Sequence, residues 1–387
     1  MGKNREEYVN MVHEIGTIVE VEELEDFCVR AFQAVGVPQE DARITADCLI
    51  LSELREEVAS HGVRLVPVWC RRIQAGSVKA VMRPTTVREG RSTALLEGGF
   101  GIGAVAGHHA MHLAITKAKD TGIGLVGVRN STSPTGIKYY PMIAIEHHMI
   151  GFTATNGISI LPPTGGLTAK VNTTPIAISV PAKTVFPIVL DMALAATAYE
   201  RLRMAAEAGG KIPLGWGVDK FGNPTDDPKA VLSRKLSISG VDDKAMLDAG
   251  IPLGGGFPSH IGGYKGYGLA VMVDMLTGVL LGGAFMDDIK AWGDDSEPER
   301  VSFILGAINI ENFIPYDEFI KRVDTYVRKM KDCKLMPGVK EIYLPGEQGM
   351  RREQGRRKTG IPLSRSTVEV LREMARNLSI SGIPNKI

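Results

Sequence analysis

His61, Asp191 and Lys265 are the side chains in this sequence best placed to do chemistry. His61 stands between Ser60 and Gly62. An imidazole titrates near neutrality and can hand a proton to a carbonyl oxygen as a hydride arrives at the carbon. Lys265 lies within Gly262-Gly263-Tyr264-Lys265-Gly266-Tyr267-Gly268, where glycines on both sides let a ligand approach the backbone closely. The apolar stretch behind it, residues 269–282, reads as a buried helix whose N-terminal amides face the same place, a position suited to an anion or a carbonyl. Asp191 closes the strand-like Pro187-Ile188-Val189-Leu190. A carboxylate there can raise the pKa of a neighbouring imidazole, or cap a helix beginning at Met192.

Other chemistries lack their residues. The sequence holds no His-Glu-x-x-His, no Gly-x-Ser-x-Gly elbow and no Walker lysine, so metalloprotease, serine hydrolase and P-loop readings have no support and no metal set is expected. His108 and His112 share a helix face at i, i+4 spacing and read as a packed or surface pair. Gly101-Ile102-Gly103-Ala104-Val105-Ala106-Gly107 approaches a dinucleotide fingerprint but has one residue too many before its last glycine. It also lacks the acidic residue that should end a second strand ~20 residues on, so close packing of a helix on a sheet is the expected role.

The elements that must position these groups fall into three textures. Residues 19–54 carry two helical apolar repeats parted by Gly36-Val37-Pro38, and a third helix with Trp69, Cys70 and Ile73 stops at Gly76. Short strand-like runs follow at 93–96 and 124–128 around a helix over 104–119, then a β-rich section over 150–191. An alanine-rich helix is expected over 192–210, a strand over 303–310, and helices over 313–330 and 367–378, with the basic run 351–358 as a solvated helix face. At 387 residues the chain suggests two or three domains, and its formal net charge of +1 makes nucleic acid or an anionic membrane an improbable main partner. Cys28, Cys48, Cys70 and Cys333 are widely spaced and form no Cys-x-x-Cys pair, which suits a reducing cytoplasm. The N-terminal residues lack the apolar core of a signal peptide.

Taken in order, Ser60-His61-Gly62, Asn156-Gly157, Asp191-Met192-Ala193, Ile212-Pro213 with Trp216 and Asp219, Gly222-Asn223-Pro224-Thr225 with Asp227-Pro228, Gly263-Tyr264-Lys265-Gly266-Tyr267-Gly268 and Pro345-Gly346-Glu347 resemble the non-Rossmann malate/L-lactate dehydrogenase family. That family also holds ureidoglycolate and sulfolactate dehydrogenases, diketogulonate reductase and piperideine-carboxylate reductase. Seven short motifs in register cover nearly the whole chain. The resemblance implies an α/β (α+β) fold: a mixed, largely antiparallel cofactor-binding sheet, not a classical Rossmann fold, with a discontinuous helical domain and a small helical insertion. On this chain the parts fall at 1–80 with 315–387 (helical), 81–192 with 261–314 (sheet) and 193–260 (insertion).

It further implies a cytoplasmic NAD- or NADP-dependent oxidoreductase moving a hydride to or from C2 of a small 2-oxo or 2-hydroxy acid, working as a homodimer with its site at the subunit interface. By matching positions, His61 is the proton donor with Asp191 in support, and Ser60 and Arg64 lie on the substrate side. Gly157, Asp191, Met192, Ala193, Tyr264, Lys265, Gly346, Glu347 and Gln348 lie on the cofactor side. The sequence departs from the family pattern chiefly on the substrate side. Ser133, within Ser131-Thr132-Ser133-Pro134-Thr135-Gly136, stands where many members carry a second catalytic histidine. Leu65 occupies the usual arginine position, with Arg64 one residue early, the family's Thr-Asn-Pro is Thr173-Thr174-Pro175, and its Gly-Lys pair is Glu200-Arg201. These changes leave two other readings open: reduction of cyclic imino acids, whose ring nitrogen arrives already protonated, and a cofactor-binding protein without dehydrogenase turnover.

Overall fold

Glycine-lined strands packed under an alanine-rich helix set the architecture. The computed structural model describes residues 15–56, 61–207, 209–219, 221–232, 236–237, 240–241, 263–290 and 295–380. Ser60, Gly262, His13 and His260 lie outside them. Seven strands form one sheet: β1, Ile15–Val19, lies apart, and the sheet holds β2 (Thr85–Glu89), β3 (Thr93–Glu97), β4 (Ile123–Ser131), β5 (Met149–Thr155), β6 (Ile176–Val180), β7 (Ile188–Met192) and β8 (Val301–Asn309). Their order is β2-β3-β4-β8-β5-β6-β7. Only β3 and β4 run parallel; every other neighbouring pair in that sheet is antiparallel. The expected mixed, largely antiparallel sheet is therefore present.

The helix that crosses from β3 to β4, here α4, follows α1 (Val21–Ala34), α2 (Gln39–Arg55) and α3 (Val66–Ala75) and spans Gly103–Thr121. Its start is the Gly101 to Gly107 stretch. The Gly103 N–H donates to the Thr132 hydroxyl at 2.8 Å, so that stretch seats a helix on the sheet, as its spacing suggests. Further along, a Cβ on Gly124 would fall 1.9 Å from the Ala114 carbonyl oxygen, a contact only glycine allows. α5 (Tyr139–Glu146), an element the sequence did not announce, joins α4 on this face, where Ala110, Ala114, Tyr140, Ala144 and Phe303 share one buried core.

A second core is built from both ends of the chain. Leu24, Phe27 and Phe32 of α1, Leu49 and Leu54 of α2 and Trp69 of α3 pack with Leu371 and Met374 of the C-terminal helix. β1 pairs antiparallel with β9, Ile361–Ser364, and so stitches residue 15 to residue 364. A third core joins Leu194, Leu202 and Ile212 to Ala154 of β5 and to Ala270 and Val273 of the helix that carries Lys265.

Two expectations need correction. The helix predicted to begin at Met192 begins later: α6 spans Tyr199–Glu207, because residues 191 and 192 are taken up by the ladder, Asp191 opposite Ala177 and Met192 opposite Ile176. The helix behind Lys265, α7 (Gly263–Asp274), runs on into a π-helical turn, Met275–Val279, but is not a buried core helix. Leu269, Met272, Leu276 and Leu280 are 43–63% exposed along it, while Ala270, Val273 and Gly278 face inward. Among the described residues no helix is long and apolar enough to cross a membrane.

Replacing Gly124 with alanine should force α4 off β4 and lower unfolding stability by about 1–3 kcal/mol, the usual cost of overpacking. Chemical denaturation of the two proteins measures this; an unchanged midpoint would mean the helix can yield without cost.

Candidate active site

The last turn of α2 is where the site begins, since a helix end leaves carbonyl groups without intrahelical partners. Here they are met by a helix from the far end of the chain. α8 (Tyr316–Lys331) precedes α9 (Glu347–Thr359), and α10 (Arg365–Asn377) closes the fold. From α9, Arg352 donates to the Arg55 carbonyl, and Arg356 donates to the Glu53 carbonyl and, at 2.7 Å, to that of Glu56. Arg55 is itself buried against Glu353 at 2.7 Å. Of the basic run expected as a solvated face, Arg351, Arg357 and Lys358 are exposed, with Arg351 held by Glu341 and Glu347, whereas Arg352 and Arg356 are turned to the cap of α2.

Beyond that cap lies His61. It is half-buried, at the entry to a 3₁₀ turn, Val63–Leu65, and the buried Glu53 carboxylate accepts the Val63 N–H at 2.8 Å. Burial pushes the Glu53 carboxyl up to about 7; Glu56 adds to the rise, while the Val63 N–H and Arg356 oppose it. Leu65, at the position of the family arginine, is 5% exposed in the helical core, whereas Arg64 in the same turn is half-buried.

The sheet supplies the second wall. Val301 pairs with Ser131, Phe303 with Thr155, Ala154 with Ile176, and Ile176 with Met192. The ends of β4, β5 and β7 and the starts of β8 and β6 therefore share one edge of the sheet, with neighbouring strands ~4.8 Å apart. That edge presents residues 131–136, Asn156-Gly157 and residues 191–193 together. Asn156 is buried and braced on both sides, donating to the Ala284 carbonyl at 3.0 Å and accepting from the Ser302 N–H at 2.8 Å. At Gly157 nothing lies within 4 Å of where a Cβ would sit, so a ligand can reach the main chain.

Ser133 is fixed through its backbone: its N–H donates at 2.7 Å to Glu299, a buried carboxylate paired with the buried Arg72. Its hydroxyl accepts from the Thr135 N–H at 3.3 Å, and Thr135 turns the chain with φ +58°. The turn delivers Lys138 to the start of α5, where its buried ammonium lies 2.6 Å from Glu56 and 2.8 Å from Asp191. Burial works against that charge, but the two carboxylates outweigh it and hold the Lys138 pKa above its ordinary value. Asp191 is accordingly an ion-pair partner and caps no helix.

β7 also receives the Pro345-Gly346-Glu347 loop. The Val189 N–H donates to the Pro345 carbonyl at 3.0 Å, and Gly346, at φ +84°, starts α9 so close to Val189 that a Cβ would lie 2.7 Å from its oxygen. Only glycine suits both the space and that conformation. Glu347 is buried, accepting from Lys331 at 2.7 Å and Arg351 at 2.6 Å, while Gln348, Met192 and Ala193 are exposed. Lys265 is exposed on the first turn of α7, its ammonium 5.9 Å from the centroid of the likewise exposed Tyr264 ring.

The fold thus brings Asp191, Met192, Ala193, Gly346 and Glu347 together, and ties them through Lys138 and the α9 arginines to the helix end that leads to His61. Lys138, Glu53, Glu56, Glu299 and Arg356 are participants the sequence did not single out. A lone lysine or a basic run gives no sign of partners 53 or ~300 residues away, which only the folded chain supplies.

Residues 19–372 match the family profile described as malate/L-lactate dehydrogenase. A malate dehydrogenase of Pyrococcus horikoshii is 37% identical over 92% of this chain and 94% of its own. A malate/(S)-sulfolactate dehydrogenase of Methanothermus fervidus is 33% identical over 94% of this chain and 98% of its own. The crystal structure of a malate dehydrogenase from Entamoeba histolytica superposes with a TM-score of 0.87 at 29% identity, covering 95% of this chain and 99% of that one.

The raised Glu53 pKa gives a pH signature. Between about 4.5 and about 7 the folded chain holds a proton the unfolded chain has lost, so this group's contribution to stability falls as pH rises through that window. Glu53→Gln removes the dependence. Its melting temperature relative to the parent should climb from pH 5 to pH 8; a constant difference would assign Glu53 an ordinary pKa.

Proposed function

The chain belongs to the malate/L-lactate dehydrogenase family and is a nicotinamide-dependent dehydrogenase; on that premise we propose that it interconverts a small 2-hydroxy acid and its 2-oxo acid, as its malate and sulfolactate relatives do by name. The observation that carries this reading is the single edge of the sheet on which residues 131–136, Asn156-Gly157 and residues 191–193 converge. The residues there fit a dinucleotide. Gly157 leaves its backbone open, Asp191 keeps one carboxylate oxygen without a partner among the described residues, and Lys265 adds a cation beside the start of α7. When bound, the cofactor, NAD or NADP, supplies or accepts the hydride at C2.

The chain's own residues handle the rest. His61 gives a proton to the carbonyl oxygen in reduction and takes it back in oxidation, as an imidazole near its pKa can in both directions. Asp191 supports that exchange, and Ser60 contributes on the substrate side. Arg64 serves as the carboxylate clamp, since Leu65 is consumed by the core and a guanidinium suits a carboxylate with two parallel hydrogen bonds. Ser133, pinned by Glu299, offers a hydroxyl in place of a base. Met192, Ala193, Tyr264, Gly346, Glu347 and Gln348 form the cofactor wall.

We also infer a homodimer. Leu269, Met272, Leu276 and Leu280 recur at helical spacing on α7 and its continuation and form an exposed apolar stripe, which a second copy would cover. The three-part division of the chain and a cytoplasmic location, suited to four free cysteines, belong to the same proposal.

His61→Ala should lower kcat/KM about 10²- to 10⁴-fold while leaving the Kd for NADH or NADPH near that of the parent, read by absorbance at the nicotinamide band and by fluorescence titration. Loss of both together would make His61 structural, and turnover confined to cyclic imino acids would replace the oxo-acid reading. Leu276→Glu should convert dimer to monomer in sedimentation; an unaltered mass would move the interface elsewhere.

A further inference from the structure

We propose that Lys138 is the positioning residue of this site: it fixes the Asp191 carboxylate toward the cofactor and keys β7 to the helix end that precedes His61. The inference rests on the functional reading above and extends it to a residue that none of the seven motifs contains.

Three elements meet at one nitrogen. Lys138 stands at the start of α5, which packs on β5; Glu56 ends α2; Asp191 lies on the edge strand β7. The lysine is 5% exposed, and a buried ammonium is costly unless paired. One carboxylate would neutralise it. Two face it, so the cluster carries one positive and two negative charges, with the Cys48 thiol also close enough to feel the ammonium. The second carboxylate draws β7 toward α2, whose end is already held by Arg352 and Arg356.

The pairing also leaves Asp191 half used. Only Oδ2 meets Lys138, and Oδ1 has no partner among the described residues, with the side chain 25% exposed. A carboxylate pinned by one oxygen cannot rotate freely, and the other is presented in a set direction. An acceptor of that kind suits an N–H or O–H donor, such as the carboxamide or a ribose hydroxyl of a nicotinamide nucleotide.

The test compares Lys138→Gln, which keeps polarity and loses charge, with Lys138→Arg, which keeps charge. The glutamine variant should lose kcat/KM on the order of 10²-fold, the scale of a misplaced reacting group, and the arginine variant should recover most of it. Without the ammonium, two carboxylates face each other with no cation between them, so the acid limb of the kcat/KM profile should move to higher pH in the glutamine variant alone. A glutamine variant with the parent's rate and acid limb overturns the proposal, as does an equal loss in both variants with no movement of the limb. If Lys138→Gln does not fold, the double variant with Glu56→Gln, which restores the net charge, replaces it: persistent impairment supports the assignment and parental activity overturns it. A parent protein that binds neither NADH nor NADPH would sink the functional reading alone. Lys138 would then be judged by melting temperatures of Lys138→Gln, Asp191→Asn and the pair, where strict additivity removes the tie.

Discussion

The capping of one helix end by arginines some 300 residues downstream is the interaction on which the rest of this structure depends. A C-terminal helix turn exposes carbonyl oxygens that a buried site cannot leave unmet. α2 meets that demand with Arg352 and Arg356 of α9, and the Arg55 to Glu353 pair seals the contact away from water. Because α9 begins at Gly346, pressed against Val189, the same helix that completes α2 also docks on β7. Lys138 closes the circuit from β7 back to α2. The ring thereby joins the segment expected to touch proton and substrate, at the end of α2, to the two expected to touch cofactor, β7 and the start of α9. A dehydrogenase needs that rigidity, since hydride and proton must leave from two fixed points toward one bond.

On the proposed reading, a dinucleotide is received without the usual fingerprint. In a doubly wound parallel sheet the glycine-rich turn and the helix behind it hold the pyrophosphate. Here the corresponding glycines, Gly101 to Gly107, are spent on seating α4 against Thr132 and Tyr140. The open backbone instead lies after β5, at Gly157, and the neighbouring Asn156 is locked by Ser302 and Ala284 so that it cannot follow a ligand. Antiparallel pairing brings ends of some strands and starts of others to one edge, which concentrates chemistry from distant parts of the sequence.

Much of this was legible before the fold was known, and the exceptions have physical causes. Regular periodicity marked α1 to α4 and the central strand β8, and the residue types at His61, Asp191 and Lys265 announced themselves by chemistry. The pairing of Asp191 with Lys138 was hidden, because a strand-end aspartate followed by an alanine-rich stretch has the appearance of a helix cap until the ladder claims Met192. The arginines of α9 were hidden because charge density is the same for a solvated face and for a helix reaching under another's end. The apolar run after Lys265 misled because an almost unbroken apolar stretch does not say which of its faces the chain itself covers. The turn at residues 134–136 carries its positive φ, +58°, on Thr135 and not on the neighbouring Gly136, where a sequence would suggest it.

The stitch between β1 and β9 has a consequence for how the molecule is made. β2, β3 and β4, residues 85–131, can pair as soon as they emerge from the ribosome, but the three N-terminal helices lack Leu371 and Met374 until nearly all of the chain has been synthesised. At ~5–20 residues per second, that is a wait of tens of seconds. Through it Phe27, Phe32 and Trp69 lack the part of their core that Leu371 and Met374 supply.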